Sequence, residues 1–352
     1  MSSLLSSIRS IIHSRYFSVL LVSLSIPLIY STAQFYTRSI CHPANTPSTS
    51  QTASMMSDSS HLNSSSRIAS TSAADDDYSG RTPVYFLSIG GPNFIEAVDH
   101  PAYAKLAAVG REITAKVKPK AVVVFSAHWQ GGPNKIKINV AEQTDLIYDF
   151  YGFPPHFYEY DYPNKGSSEV AEKVIEKLTV AGIEVERVNR GLDHGVWAGF
   201  MAAFDPKKNP LNVPIVQVSL YDNEDPDQHY RIGQALESLR DEGILIIGAG
   251  MAVHNLRDFR STLAAGETMP YAYSFDEALK EAATAVPEER QAKMSVLLRR
   301  SDARKAHPTL EHILPIHVTA GAAGTDLGEQ LWTFPEKSLS WSQYRFGKVA
   351  AA

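Results

Sequence analysis

Four histidines lie where an imidazole could bind a metal ion or move a proton. His128 ends a long apolar run, and His254 follows a second run that finishes in two glycines. His194 stands in a Gly-Leu-Asp-His-Gly segment, and His312 follows Glu311. Neutral imidazole is a common metal ligand, and its proton exchanges near neutral pH. No pair has the spacing of a single-helix zinc motif, so a site built on these residues must be assembled from distant segments.

The elements that would position these histidines alternate along the chain. Dense apolar runs of strand length occupy 84–89, 121–127, 213–220 and 244–247, and helical spacing of apolar residues marks 101–117 and 228–239. Buried strands separated by amphipathic helices predict an α/β fold with a central, mainly parallel or mixed sheet flanked by helices. We expect one catalytic domain over residues 81–350. Ligands bind such sheets at the carboxyl ends of strands, where His128 and His254 fall.

Composition narrows the class of partner. The net charge is -5 and the isoelectric point is near 6.2, which argues against electrostatic binding of nucleic acid. The single cysteine, Cys41, excludes an internal disulfide framework and a cysteine-rich zinc module. A small molecule is the expected partner, and no pattern in the sequence fixes an oligomeric state.

The N-terminal region differs in composition from the rest. Residues 1–40 are rich in serine, lack acidic residues and contain an apolar run, 17–30, that is shorter than a bilayer span. Both a mitochondrial presequence and a secretory signal fit this targeting segment. Translation from Met55 or Met56 would instead give a cytoplasmic protein without it. Residues 41–80 are rich in serine and threonine, and we expect them to form a disordered linker.

Several short motifs occur in a fixed order from about Pro83 to Phe346. They are Ser126-Ala127-His128-Trp129, Gly152-Phe153-Pro154, Gly191-Leu192-Asp193-His194-Gly195, Val253-His254-Asn255-Leu256 and Glu311-His312. Together they resemble the signatures of the LigB-like class III extradiol ring-cleavage dioxygenases, in the DOPA 4,5-dioxygenase branch. The resemblance implies a non-haem Fe(II), often replaced by Zn(II) in purified material. It also implies a catechol substrate, opened by O2 beside its two hydroxyl groups to a muconic semialdehyde.

The resemblance assigns a role to each histidine. His128 and His312 are similar to two of the family's metal ligands, and His254 to the acid/base that handles the catechol proton. His194 is similar to a further active-site histidine that contacts substrate or oxygen. The positions that resemble substrate-binding residues are Tyr148, Phe150, Phe153 and Asp193.

One position departs from the family's pattern. The family's first strand runs into a motif whose histidine is the remaining metal ligand, and here that position is Ile89. An aliphatic side chain offers no lone pair, so the expected ligand set is one group short. Two alternatives to a working dioxygenase therefore stay open: a catalytically impaired relative that binds a catechol or another partner, and a zinc hydrolase built on His128 and His312.

Overall fold

An eight-stranded mixed sheet forms the centre of the protein in its computed structural model, which describes residues 80–349. The predicted targeting segment, and the predicted linker up to residue 79, lie outside the described residues. Within residues 80–349, no helix is both long and apolar enough to span a membrane.

Strands and helices alternate as the sequence predicts. The strands are β1 Val84–Ser88, β2 Ala121–Gln130, β3 Lys135–Asn139, β4 Leu146–Ile147, β5 Glu184–Val188, β6 Leu192–Asp193, β7 Ile215–Leu220, β8 Ile244–Gly250, β9 Val253–His254, β10 Gly328–Trp332, β11 Pro335–Glu336, β12 Leu339–Ser340 and β13 Gln343–Phe346. The helices are α1 Pro101–Glu112, α2 Ser168–Val180, α3 His194–Ala203, α4 Pro226–Leu236, α5 Leu256–Ala265, α6 Pro270–Ala283, α7 Pro287–Leu297, α8 Ala303–Ala306 and α9 Leu314–Ala322.

The large sheet has the strand order β10-β13-β1-β8-β2-β7-β3-β5. Its four central strands, β1, β8, β2 and β7, pair in parallel, whereas β3 is antiparallel to β7 and β13 is antiparallel to β1. All residues of β1, β7 and β8 are buried, because apolar clusters cover both faces of the sheet. The predicted α/β class with a mainly parallel or mixed sheet is confirmed.

Two element boundaries fix where His128 and His312 lie, and that of β2 differs from the predicted one. Strand β2 continues to Gln130, so His128 lies within the strand, in the stretch where its register with β7 shifts, and does not follow it. Helix α9 begins at Leu314, two residues after His312, because Pro315 fits only in the first turn of a helix. His312 therefore lies in the turn before the helix, and the helical geometry does not set the direction of its side chain.

His229, on α4, is buried in a neutral form that its hydrogen bonds select. Its Nδ1 donates to the Asp225 carbonyl oxygen at 2.6 Å, and its Nε2 accepts from the Tyr221 amide at 3.1 Å. A neutral imidazole has one donor and one acceptor, so both are satisfied. Burial lowers the pKa of His229 to about 4.

Acid should therefore destabilise the fold through His229. Its pKa is lower in the folded protein than in the unfolded chain, where histidine titrates near ~6.5, so falling pH protonates the unfolded state first. The stabilisation is complete above about pH 6.5 and is lost towards about pH 4. Through His229 alone, we expect the free energy of unfolding to drop by about 2 kcal/mol from pH 7 to pH 5.

Urea unfolding at the two pH values measures this drop. The His229→Gln variant should lose about 2 kcal/mol less than the parent between pH 7 and pH 5. The matched control is His156→Gln, since the His156 side chain is half exposed, and it should follow the parent. Equal losses in all three proteins would contradict the assignment.

Candidate metal centre and active site

The candidate site lies where the carboxyl ends of the central parallel strands meet. His128 is close to the end of β2, and His254 follows β8 after a short turn. The chain before α9 lies directly on the end of β8, because the amide of Met251 donates to the carbonyl oxygen of His312 at 2.9 Å. Gly250 permits this approach, since a Cβ there would lie 2.3 Å from that same oxygen.

The structure brings the four predicted histidines into one group. The ring centroids of His128 and His194 are 4.0 Å apart, and those of His128 and His312 are 5.2 Å apart. His254 stacks on His312 with 3.6 Å between centroids and 14° between ring planes. Segments separated by more than a hundred residues therefore meet within the reach of one small ligand.

Helix α3 is held close to β2 by a glycine. A Cβ on Gly195 would lie 2.6 Å from Ser126 Oγ and 2.7 Å from His128 Cδ2, so any larger residue would push the helix away from the strand. The residue before it, His194, is the first of the helix. Gly195 thus sets the short distance between the rings of His128 and His194.

Asp149 is the functional residue that the sequence analysis missed. One of its carboxylate oxygens accepts from His128 Nδ1 at 3.0 Å. The other accepts from both the Nδ1 and the backbone amide of His194, at 2.8 and 2.9 Å. Its signal in the sequence is a single acidic residue between two aromatic residues of the predicted substrate pocket, Tyr148 and Phe150.

Glu311 orients the imidazole of His312 as Asp149 orients those of His128 and His194. Its carboxylate accepts from His312 Nδ1 at 3.1 Å. The Nδ1 atoms of His128, His194 and His312 are thus all bonded to carboxylates, which leaves Nε2 as the nitrogen available to a ligand. This carboxylate–imidazole pairing is typical of metal-binding histidines, because it fixes the tautomer and the ring orientation.

The ionisation of the site follows from its burial. Burial lowers the pKa of His194, and burial together with neighbouring imidazoles lowers the pKa values of His254 and His312 well below the usual range. Burial alone would raise the pKa of Asp149, but hydrogen bonds from His128 and His194 outweigh it and bring this pKa well below its ordinary value. Asp149 is therefore ionised and His194, His254 and His312 are neutral, and these are the forms that bind metal ions.

Asp193, which the resemblance marks as a substrate-binding residue, lies beneath the site. It is fully buried, and its carboxylate accepts hydrogen bonds from Ser126, Arg190 and Gln217. Ser126 Oγ also accepts from the backbone amide of His128 at 3.1 Å. Asp193 therefore stabilises the end of β2 through Ser126.

The other predicted substrate-binding residues form an aromatic wall beside the histidines. The ring of Phe150 lies 5.4 Å from that of His194, edge to face. Phe153 and Tyr148 pack around Phe150, with centroids at 5.2 and 6.1 Å. The phenol oxygen of Tyr148 donates to the carbonyl oxygen of Tyr160.

Ile89 is packed as an apolar residue at the end of β1. Its side chain is 3% exposed and lies against helix α3, where a Cβ on Gly199 would be 2.5 Å from its own Cβ. Its backbone amide donates to the carbonyl oxygen of Gly250 at 3.1 Å. Strand β1 thus reaches the same edge as β2 and β8 but brings no donor atom there.

The donor set fits a divalent metal ion that binds nitrogen and oxygen. His128, Asp149 and His194 offer one ligand atom each within 4.8 Å of one another, and His254, Glu311 and His312 form a second such group. Imidazole nitrogens and carboxylate oxygens are donors that both Fe(II) and Zn(II) accept. The fold and this candidate metal site together indicate a metal-dependent enzyme of the α/β class.

Sequence comparison gives the family. The family model for the catalytic LigB subunit of aromatic ring-opening dioxygenases matches residues 82–351. The chain belongs to this family of extradiol ring-opening dioxygenases. Enzymes of the family are typically Fe(II)-dependent and act on catechols with O2.

Similar proteins carry related names. The chain is 34% identical to a 4,5-DOPA dioxygenase extradiol of Beta vulgaris, with 74% of this chain and 95% of that protein covered. It is 32% identical to a 4,5-DOPA dioxygenase extradiol of Escherichia coli K12, with 69% and 86% covered. The crystal structure of an uncharacterised E. coli K12 protein superposes with a TM-score of 0.60 and 27% identity, over 76% of this chain and all of that one.

Proposed function

We propose that the protein is a non-haem Fe(II) dioxygenase that opens the ring of a DOPA-like catechol. The bond beside the two hydroxyl groups is cleaved, and both atoms of O2 enter the muconic semialdehyde product. The observation that carries this proposal is the group of four imidazoles, three of them bonded through Nδ1 to a carboxylate. The family membership supplies the reaction type.

In this proposal His128 and His312 hold the metal ion through Nε2. Asp149 and Glu311 keep the two rings in that orientation, since each accepts from an Nδ1. Fe(II) is the catalytic ion, and Zn(II) can occupy the same donors. When bound, the ion serves as a template that holds catechol and O2 side by side and supplies electrons for oxygen activation.

The remaining residues act on substrate. His254, neutral and stacked on His312, accepts the proton of a catechol hydroxyl as the substrate binds. His194, held by Asp149, lies 4.0 Å from the ring of His128 and hydrogen-bonds to substrate or oxygen on that side. Phe150 and Phe153 cover the aromatic ring and keep water out.

Oxygen consumption tests the function directly. The protein is stripped of metal with a chelator, reloaded anaerobically with Fe(II), and given DOPA and air-saturated buffer. We expect one O2 consumed per DOPA, a yellow product, and none of either in the stripped protein or after Zn(II) loading. Absence of oxygen uptake with DOPA and with simpler catechols, in a protein shown to contain Fe(II), would overturn the proposal.

A second candidate, a binding protein without catalysis, is favoured by one observation. Ile89 supplies no donor where the family's pattern has a histidine, and it is packed firmly against α3. Such a protein would bind a catechol through the same aromatic wall without consuming O2. Anaerobic binding measured beside oxygen uptake separates the two functions.

A further inference from the structure

Glu336 lies on the same side of a small sheet as His254. In the three-stranded sheet β11-β12-β9, Glu336 is opposite Leu339, and Leu339 is opposite His254. Residues directly opposite each other in antiparallel strands present their side chains on one face. Two such steps separate the Cα atoms of Glu336 and His254 by about 10 Å.

The shared face is the one that carries the His254 side chain, because Leu339 pairs directly with His254. Leu339 and Trp341, two residues apart on the same strand side, belong to the apolar cluster that contains Ile89 and packs against Tyr148. The intervening residue, Ser340, points to the opposite side, where its hydroxyl donates to Asp276 at 2.7 Å. Glu336 therefore lies on the same face as His254, on the far side of Leu339.

The Glu336 carboxylate is held in place. His100 Nε2 donates to it at 2.9 Å, and Trp341 Nε1 donates at 3.3 Å. His100 accepts from the amide of Ala102 through Nδ1, which leaves Nε2 as its donor to Glu336. Glu336 thus keeps its negative charge, with 27% of its side chain exposed.

Lys337 supplies an opposite charge beside it. Its Nζ lies 3.5 Å from the second oxygen of Glu336, and 23% of its side chain is exposed. Its backbone, in the left-handed region at φ 56°, is bonded on both sides: its amide donates to Thr268 Oγ1 and its carbonyl oxygen accepts from the amide of Met269. The hairpin turn therefore presents a preformed, partly shielded pair of charges.

We propose that Glu336 and Lys337 determine substrate specificity by binding the amino-acid head group of the catechol. The substrate ammonium binds Glu336 and the substrate carboxylate binds Lys337, while the catechol hydroxyls face His254. When such a head group binds, the Glu336–Lys337 ion pair is replaced by two ion pairs with the substrate, so neither charge is left unpaired. The distance of about 10 Å between the Cα atoms of His254 and Glu336 is comparable with the length of a catechol that carries a short aliphatic side chain. This inference rests on the proposed function, of which it names the specificity residues.

Four catechols separate the two charges. DOPA carries both, dopamine carries only the ammonium, 3,4-dihydroxyphenylpropionate carries only the carboxylate, and 4-methylcatechol carries neither. Their dissociation constants are measured without O2, by tryptophan fluorescence, in the Fe(II)-loaded full chain, and kcat and KM are then measured in air. The variants are Glu336→Gln, which keeps the hydrogen-bond acceptor for His100, and Lys337→Met.

Each variant should lose affinity only for substrates that carry the matching charge. Glu336→Gln should raise Kd and KM about tenfold to a hundredfold for DOPA and dopamine. Lys337→Met should do the same for DOPA and 3,4-dihydroxyphenylpropionate. Neither should change 4-methylcatechol binding, and kcat should change little. Glu277→Gln removes one charge from the exposed Glu277–Lys280 pair and should leave all four ligands unaffected.

The outcomes distinguish this inference from the proposed function. If all four catechols are cleaved but neither variant changes their relative Kd values, the specificity role is wrong and the dioxygenase function stands. If binding follows the charge pattern but no O2 is consumed, the function fails and the head-group site remains. Melting temperatures of both variants, expected within a few degrees of the parent, exclude unfolding as the cause of any loss.

Discussion

The Ile89→His variant is expected to bind Fe(II) more than about a hundredfold more tightly than the parent. Changes in residues that only orient a ligand alter metal affinity by about tenfold to a hundredfold, and a directly coordinating imidazole contributes more. Residue 89 ends at the same sheet edge as His128, because the paired strands β1, β8 and β2 are parallel. Chelator competition measures the affinity, and oxygen uptake with DOPA measures whether activity rises with it.

Packing provides the control for this variant. Ile89 is buried against Gly199, so any substitution there disturbs the apolar cluster to some extent. The Ile89→Leu variant disturbs this packing to a similar degree but adds no metal-binding atom, so its metal affinity should equal that of the parent. Unchanged affinity in Ile89→His, with melting temperatures matching those of Ile89→Leu, would show that residue 89 does not face the metal.

A parent that already binds Fe(II) tightly would identify another donor. The nearest is His194, which lies 4.0 Å from the ring of His128 and is the third imidazole with a carboxylate at Nδ1. His194→Gln would then release metal from the parent but not from a protein that also carries Ile89→His. Comparing His194→Gln in the parent and in the Ile89→His protein shows whether His194 serves as the metal ligand that residue 89 does not supply.

The fold was predictable from the sequence because its central strands are buried on both faces. Continuous runs of valine and isoleucine, such as those of β2 and β8, have few other stable arrangements, and helices between them require parallel neighbours. The short strands β9, β11 and β12 were not predicted. Each has two residues, and their pairing depends on tertiary contacts that leave no periodic pattern.

The site was predictable only in part. A histidine at a strand end gives a local signal, and the resemblance to known motifs supplied the rest. Asp149 gave no such signal, because it lies in an irregular segment and its partners, His128 and His194, are 21 and 45 residues away. The burial of Asp193 was hidden for the same reason: Ser126 and Gln217 reach it from two other strands.

The arrangement divides the histidines into two kinds. His128, His194 and His312 each have Nδ1 bonded to a carboxylate, which makes Nε2 a better electron donor and fixes the ring. His254 instead lies flat on His312, and burial together with this neighbouring imidazole lowers its pKa well below the usual range. A proton acceptor must release its proton later in the cycle, and this environment favours release.

The His254→Gln variant should therefore lose activity without losing metal. General acid–base groups contribute about a hundredfold to ten-thousandfold to rate, and we expect kcat/KM for DOPA to fall within that range. Iron content after anaerobic loading should equal that of the parent, because glutamine keeps the volume of the side chain and His312 keeps its bond to Glu311. Stopped-flow oxygen consumption and colorimetric iron assays give the two quantities.

The comparison with His312→Gln makes this prediction specific to His254. His312 and His254 are stacked and both only partly exposed, so a merely structural role would make the two variants alike. We expect His312→Gln to lose iron and activity together, and His254→Gln to lose activity alone. A shared loss of iron in both variants would make His254 a ligand, and the proton would then have to pass to His194, the remaining neutral imidazole of the group.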